Sequence, residues 1–239
     1  MYQLLLDLLP ENPPSLDNFV AGGNAEAVAA LSAWASPEGR ETSLLLYGES
    51  GCGKTHLLRA MSFSHADASV YHDALATPGL EALAMADDTP RRVVVDNVEA
   101  LSGDGQIVLF GLFNRLRATG GRLLTAADRS PQHLPLREDL RTRLGSGLVY
   151  RLVPLTDEEK RAALAAQAET RALPLPPGAL DYLLTRTRRD MRHLSSILAA
   201  LDRYSLECQR PITLPLLREI LRHPLPSKED AHQLESVSR

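Results

Sequence analysis

Cysteine and aromatic side chains are both scarce in this sequence. The two cysteines, Cys52 and Cys208, give no disulfide framework, which suits a reducing cytoplasm. Aromatics make up 5% of the 239 residues against 44% hydrophobic, so the core is expected to be built from Leu, Ala and Val. Basic charge is not in excess either: 26 Lys and Arg stand against 30 Asp and Glu, with a pI near 6.0. That balance argues against a mainly DNA-binding surface, while leaving room for a local basic patch. No apolar run approaches the length of a transmembrane helix. The segment from Met1 to Pro10 lacks a positive n-region and carries Asp7 among its leucines, so it does not read as a signal peptide. The expectation is a soluble, cytoplasmic protein without a membrane partner. The seven histidines, His65 and His72 among them, show no metal-ligand spacing, and no Ser-His-Asp or Cys-His arrangement stands out.

Glycine, in contrast, is placed with purpose. Gly48-Glu49-Ser50-Gly51-Cys52-Gly53-Lys54-Thr55 spells G-x-x-x-x-G-K-[ST], the phosphate-binding P-loop. The apolar run Leu44-Leu45-Leu46-Tyr47 feeds into it, and a helix-like run from His56 to Met61 leaves it. Such glycines let the backbone curl so that successive N–H groups face a phosphate, with the helix N-terminus adding its positive end. In this motif Lys54 reaches the β- and γ-phosphates and Thr55 binds Mg²⁺ through its hydroxyl. Residues 48–56 are therefore the expected nucleotide-binding segment, ADP or ATP with Mg²⁺ being the expected cofactor.

The rest of the chain alternates in the same manner. Short apolar runs at 43–47, 69–72, 92–96, 122–127 and 148–152 read as buried parallel strands, most of them separated by enough chain for a helix. The fold class is thus α/β, a central parallel sheet flanked by helices, with ligands beyond the carboxyl ends of the strands. After Val153-Pro154 the pattern becomes helical. Thr156 with Glu159 forms a capping box for a helix running to about Thr170, Pro177-Gly178 opens a second and Asp190 a third. Leu194, Ile197, Leu198 and Leu201 share one face of that third helix, and Thr213 caps a short last one ending near Leu221. Proline-rich residues 9–16 separate a tail from the body. The expected division is a tail and linker at 1–15, a nucleotide-binding domain at 16–153, a helical lid at 154–223 and a polar tail at 224–239.

Val93-Val94-Val95-Asp96 is an apolar strand ending in an acid about forty residues after Lys54, as a Walker B segment is, and Asp96 is the expected second metal-site residue. A P-loop α/β domain followed by a small helical domain resembles the AAA+ ATPases, and several motifs resemble their DnaA branch. Leu16-Asp17-Asn18-Phe19-Val20 is similar to the segment opening the DnaA ATPase domain, and Ala127-Asp128-Arg129-Ser130-Pro131 to its sensor 1. Residues 140–148 resemble its arginine-finger box, and Arg189-Asp190-Met191-Arg192-His193-Leu194 its sensor 2 helix. Too little sequence follows Leu221 for the DNA-binding domain of DnaA. The chain is therefore expected to resemble the Hda-type regulators of DnaA, a DnaA-like ATPase module preceded by a short peptide. Gln3-Leu4-Leu5-Leu6-Asp7-Leu8 fits the clamp-binding pattern Q-L-x-L-x-L, with Gln3, Leu4, Leu6 and Leu8 as the contacts. The competing reading of that peptide is a leucine-rich segment packed on its own domain.

The resemblance implies roles as well as residues. Arg143 is the arginine finger, acting in trans on nucleotide held by a neighbouring subunit, with Arg137 and Arg141 as surface or interface charges. Arg192 is the sensor 2 arginine and Asp128 the sensor 1 residue, although Thr125 on the same strand is an alternative phosphate contact. Asn97 stands where many relatives have a second acid. An amide cannot take a proton from water, so weak self-hydrolysis is expected unless Glu99 substitutes. The implied function is a clamp-tethered regulator that stimulates hydrolysis of DnaA-bound ATP and so represses re-initiation of replication. Its partners would be DnaA and the DNA polymerase III β sliding clamp, with DNA reached mainly through the clamp and homo-oligomers allowed. The competing readings are an autonomous ATPase such as a DnaC-like helicase loader, and a non-catalytic adaptor of DnaA.

Overall fold

Leu44, Leu45 and Leu46 are completely buried, as consecutive residues can be only where a strand is covered on both faces. They form the middle of β1 (Ser43–Tyr47), which lies between β4 (Arg122–Ala127) and β5 (Leu148–Arg151). Beyond β4 come β3 (Arg92–Asp96) and then β2 (Ser69–Asp73), giving the order β2-β3-β4-β1-β5 with every pairing parallel. The computed structural model describes residues 13–64, 69–76, 80, 91–188, 190–208 and 211–222. The expected strands are all present, β2 running one residue further than its apolar run and β5 ending one residue sooner.

Alternation along each strand assigns the two faces. Leu45, Val93, Val95 and Leu123 pack against Leu109, Leu112, Phe113 and Leu116 of α3 (Gly103–Thr119) and Leu140 and Leu144 of α4 (Glu138–Gly145). Leu44, Leu46, Val94 and Leu124 pack against Leu31 and Trp34 of α1 (Ala25–Ala35) and Leu57, Leu58 and Met61 of α2 (Lys54–Phe63). Ser102 opens α3 by accepting the Gly105 N–H at 3.0 Å, and Gly120 closes it in the left-handed region. The carbonyls ending α1 receive two guanidinium groups: Arg92 donates to Ala35 O at 2.5 Å, and Arg122 donates to Trp34 O. Cations at a helix C-terminus complement its partial negative charge. Asn24 exchanges two hydrogen bonds with the Val153 backbone, at 2.8 and 2.9 Å, tying the segment before α1 to the chain leaving β5.

Residues 13–155 make one compact unit, and a second begins at Thr156. In the second, α5 (Asp157–Thr170), α6 (Ala179–Arg186), α7 (Met191–Cys208) and α8 (Leu214–Arg222) enclose a core of their own that includes Leu164, Leu183, Leu194, Leu198 and Leu217. The capping box is complete: Glu159 N–H donates to Thr156 Oγ1 at 3.1 Å and Thr156 N–H to Glu159 Oε2 at 2.8 Å. Asp190 caps α7 through the His193 N–H, and Thr213 caps α8 through the Leu216 N–H. No helix among the described residues is long and apolar enough to cross a membrane.

Candidate nucleotide-binding site

The carboxyl ends of β1, β3 and β4 are neighbours in the sheet, and each releases the chain into a segment with polar or glycine residues. From β1 comes the loop 48–53. Gly53 has φ 101°, and a Cβ there would stand 2.6 Å from the Phe19 ring, so only glycine fits. At Gly48 a Cβ would meet the Leu152 carbonyl oxygen at 2.3 Å. The loop delivers the chain into α2 with Lys54 and Thr55 as its first two residues and no side chain capping its N-terminus. Such an end presents N–H groups and a positive dipole, the requirement for holding phosphate.

Lys54 Nζ donates within the loop to Gly48 O at 2.6 Å and Glu49 O at 3.0 Å. Glu49, Ser50 and Gly51 are exposed at the loop's crest, whereas Cys52 is buried beneath it, where desolvation pushes its thiol up. His56 is fixed from the other side, its Nε2 3.0 Å from Ser15 O and its ring centroid 5.4 Å from that of Phe19. Phe19 thus packs on both Gly53 and His56.

Asp96 ends β3 and is wholly buried. Thr55 Oγ1 donates to its Oδ2 at 2.6 Å, the Tyr71 hydroxyl donates to the same oxygen at 3.1 Å, and the Asn97 N–H donates to Oδ1 at 3.0 Å. Burial pushes the Tyr71 phenol up to about 12, so it remains a donor. These three donors are all neutral, and a buried carboxylate bonded only to neutral donors suits a cation beside it. Among the described residues no group of three or more His, Cys, Asp or Glu side chains could hold a metal alone. Thr55 and Asp96 fit Mg²⁺, which characteristically takes one or two protein groups and completes its shell with phosphate oxygens and water.

Asn97 adopts the left-handed conformation, φ 56° and ψ 47°, and its Nδ2 donates to Asp73 Oδ1 at 2.8 Å. Its amide is therefore engaged with the end of β2. The 3-10 turn Val98–Ala100 follows, and in it Glu99 is half-buried with Oε2 enclosed and without a hydrogen-bond partner. Burial raises the Glu99 carboxyl above its ordinary range; the Asp128 charge adds to this, while the Asp128 backbone and Lys54 act against it. Asp128 directly follows β4 and binds Arg129 through two bonds, at 2.8 and 2.6 Å, which hold its carboxyl below the usual range. Thr125 lies inside the sheet opposite Leu45 and Val95, two residues before the strand end, with its hydroxyl buried and unpartnered.

One neighbourhood thus gathers the P-loop, Thr55, Asp96, Glu99 and Asp128. Arg143 belongs to α4, half-buried, with its guanidinium carbon 6.0 Å from the centroid of Phe113. Arg192 is exposed in the first turn of α7, within the second compact unit. Gln3, Leu4, Leu6 and Leu8 lie outside the described residues. Tyr71, Asp73 and Phe19 join the site through contacts that the sequence does not signal. The short apolar run at 69–72 marks a strand but not which acid the tyrosine would meet.

A family model of the Hda lid domain matches residues 157–221, and a model of the bacterial DnaA ATPase domain matches residues 11–73. Domain III of the replication initiation protein DnaA from Thermotoga maritima is 25% identical with a TM-score of 0.70, covering 92% of this chain and 100% of that one. DnaA from Aquifex aeolicus, solved with AMPPCP bound, is 24% identical with a TM-score of 0.65, covering 84% and 68%. A RuvB variant from Thermotoga maritima is 18% identical with a TM-score of 0.64, covering 91% and 72%, and shares the fold. The parallel sheet with flanking helices, followed by a helical lid, is the AAA+ architecture.

Proposed function

This chain is a DnaA-related AAA+ protein, and from that premise we propose that it stimulates hydrolysis of the ATP bound to DnaA while tethered to the sliding clamp. The observation that carries the reading is that one chain matches the DnaA ATPase model over residues 11–73 and the Hda lid model over residues 157–221. Nucleotide, ADP in the resting form, is held by residues 48–56 with Mg²⁺ at Thr55 and Asp96. It sets the shape of the module and is not the substrate of the regulatory reaction.

Arg143 supplies the chemistry in trans. A guanidinium brought against a transferring phosphoryl group stabilises charge that develops there, an effect worth roughly 10³–10⁵ in rate. Its place on α4 supports this: it lies above an aromatic ring, and no ion pair among the described residues neutralises it. Asp128 acts in cis on this chain's own nucleotide. Gln3, Leu4, Leu6 and Leu8 bind the clamp, the glutamine by hydrogen bonds and the leucines by insertion into an apolar groove. The tether raises the effective concentration of the regulator where clamps are loaded on DNA, coupling repression to replication in progress.

The direct test is hydrolysis of DnaA-bound ATP with this chain and DNA-loaded clamp added separately and together. Acceleration should require both. A rate unchanged by the pair would reject the reading in favour of an adaptor that leaves the nucleotide of DnaA untouched. Retention of the clamp by a chain lacking residues 1–9 would reject the tether alone.

A further inference from the structure

The helical lid carries a groove that none of the preceding chemistry uses. Tyr182 and Arg186 stand one turn apart on α6, and Arg218 and Leu221 one turn apart on α8; these four side chains line an open cavity of about 420 Å³. The Arg218 guanidinium carbon lies 5.8 Å from the centroid of the half-buried Tyr182 ring, so a planar cation is held over an aromatic in the groove wall. Both arginines are exposed, and among the described residues neither belongs to an ion pair; Asp181, the acid on α6, is engaged by Arg161. Arg188, Arg189 and Arg192 follow in the sequence, with Asp190 as the single acid between Arg186 and Arg192. This is the local basic patch for which the acidic overall composition leaves room. A cation at the last residue of α6 complements the helix dipole, which accounts for Arg186 alone. It does not account for a second guanidinium brought to the same cavity by another helix.

We propose that this groove binds single-stranded nucleic acid, with a backbone phosphate between Arg186 and Arg218 and a base stacked on the Arg218–Tyr182 pair. Guanidinium forks match phosphate oxygens, and bases stack on aromatic rings and on guanidinium planes alike. The cavity has the size of a small-ligand site, roughly 300–1,000 Å³, which suits one nucleotide unit and not the width of a duplex. An acidic peptide is served less well. Peptides are held by main-chain pairing at a sheet edge or by an apolar helix face in a groove, whereas this groove offers one aliphatic side chain, Leu221, beside its cations and ring. Contacts to phosphate and to a π-face carry no base identity, so the binding is independent of sequence. The site lies wholly within the lid and is separate from the nucleotide held by residues 48–56. It gives the chain a direct hold on DNA in addition to the tether.

The test uses the full-length chain with ADP and Mg²⁺ in excess, so that the P-loop does not compete for the strand, and without clamp. A fluorescent oligothymidylate is titrated at several salt concentrations and its anisotropy followed. The wild type should bind it, with log K falling linearly against log salt. Arg186→Gln and Arg218→Gln should each weaken binding at low salt and reduce that slope by about 0.7, the counterion equivalent of one phosphate contact on a single strand. Tyr182→Leu should weaken binding about 5-fold or more at every salt concentration with the slope unchanged, the mark of lost stacking. Tyr182→Phe keeps the ring and should bind as the wild type does. Thermal melts establish that each variant is folded; if Tyr182→Leu is not, the two arginine variants decide, since both side chains are exposed. Absence of strand binding, or wild-type affinity and slope in both arginine variants, overturns the proposal. Equal binding of a duplex of the same length also overturns it, by reducing the site to phosphate attraction. Displacement of the strand by polyglutamate at matched charge does so as well, and would make the groove a site for acidic peptide.

Discussion

Thr55, the second residue of α2, donates its hydroxyl at 2.6 Å to Asp96, the last residue of β3. This bond fastens the P-loop helix to the centre of the sheet and serves a carboxylate that has no exposure to water. Thr55→Val keeps the shape and removes the donor, and an under-served buried charged group costs about 1–3 kcal/mol or more. Tyr71→Phe removes the longer bond of 3.1 Å to the same oxygen and leaves Thr55 in place, so it should cost less. Denaturant unfolding of both variants checks the order. A larger loss for Tyr71→Phe, or none for Thr55→Val, would contradict this account of Asp96.

Lys54→Ala addresses the nucleotide. Lys54 Nζ is the cation at the mouth of the loop, donating there to the Gly48 and Glu49 carbonyls and, at 3.9 Å, to the Cys52 sulfur. Removing it should leave the fold intact and weaken ADP binding, because the glycine turns and helix start remain. A ligand that binds the native state stabilises it by mass action, so the ADP-induced rise in melting temperature should shrink. Equal shifts in variant and wild type would defeat the assignment of phosphate binding to this loop.

Asn97→Asp tests the structural role of the amide. A carboxylate at 97 would face the Asp73 carboxylate across the 2.8 Å that a hydrogen bond now spans. Like charges at that separation disfavour joint ionisation, so one of the pair must have a folded-state pKa above its unfolded value. A carboxyl raised in this way contributes stability below its unfolded pKa and loses it as pH rises through the folded one. The variant should therefore be destabilised at neutral pH and recover toward the wild type on acidification. Thermal melts of both proteins across the carboxylate range read this directly; a deficit that does not narrow on acidification would rule out the Asp73 contact as its cause.

Contiguity explains how much of this site is legible in the sequence. The P-loop is one unbroken segment whose glycines answer to local backbone needs, and Thr156 with Glu159 cap a helix they both belong to, so spacing along the chain suffices. The bonds of Tyr71 to Asp96 and of Asn97 to Asp73 depend instead on β2 lying beside β3. That neighbour relation is a property of the whole sheet, and no local pattern encodes it. Glu99 falls between these cases. Its presence two residues after Asn97 is evident from spacing, but an extended strand would place it with Asn97, whereas the left-handed residue and the 3-10 turn redirect it. Arg143 and Arg192 are legible only as members of motifs, since the role of each depends on what lies opposite it.

The finger itself separates an activator from an adaptor. Arg143 stands on α4 between the buried Leu140 and Leu144, with its guanidinium 6.0 Å from the Phe113 ring centroid. The helix is thus anchored by its leucines while the arginine remains half-exposed, and Arg143→Ala should not disturb the fold. An interaction made chiefly in the transition state changes rate more than binding. The variant should therefore keep its response to ADP and its affinity for the clamp while losing stimulation of hydrolysis on DnaA, by up to the roughly 10³-fold or more that such an arginine supplies. Arg143→Lys should rescue poorly, because a compact ammonium cannot reproduce the planar fork of the guanidinium. The measurement is single-turnover hydrolysis of DnaA-bound ATP at saturating regulator and loaded clamp. Full stimulation by Arg143→Ala under those conditions would exclude the trans mechanism, whereas loss in Ala with full activity in Lys would reduce the role of Arg143 to its charge.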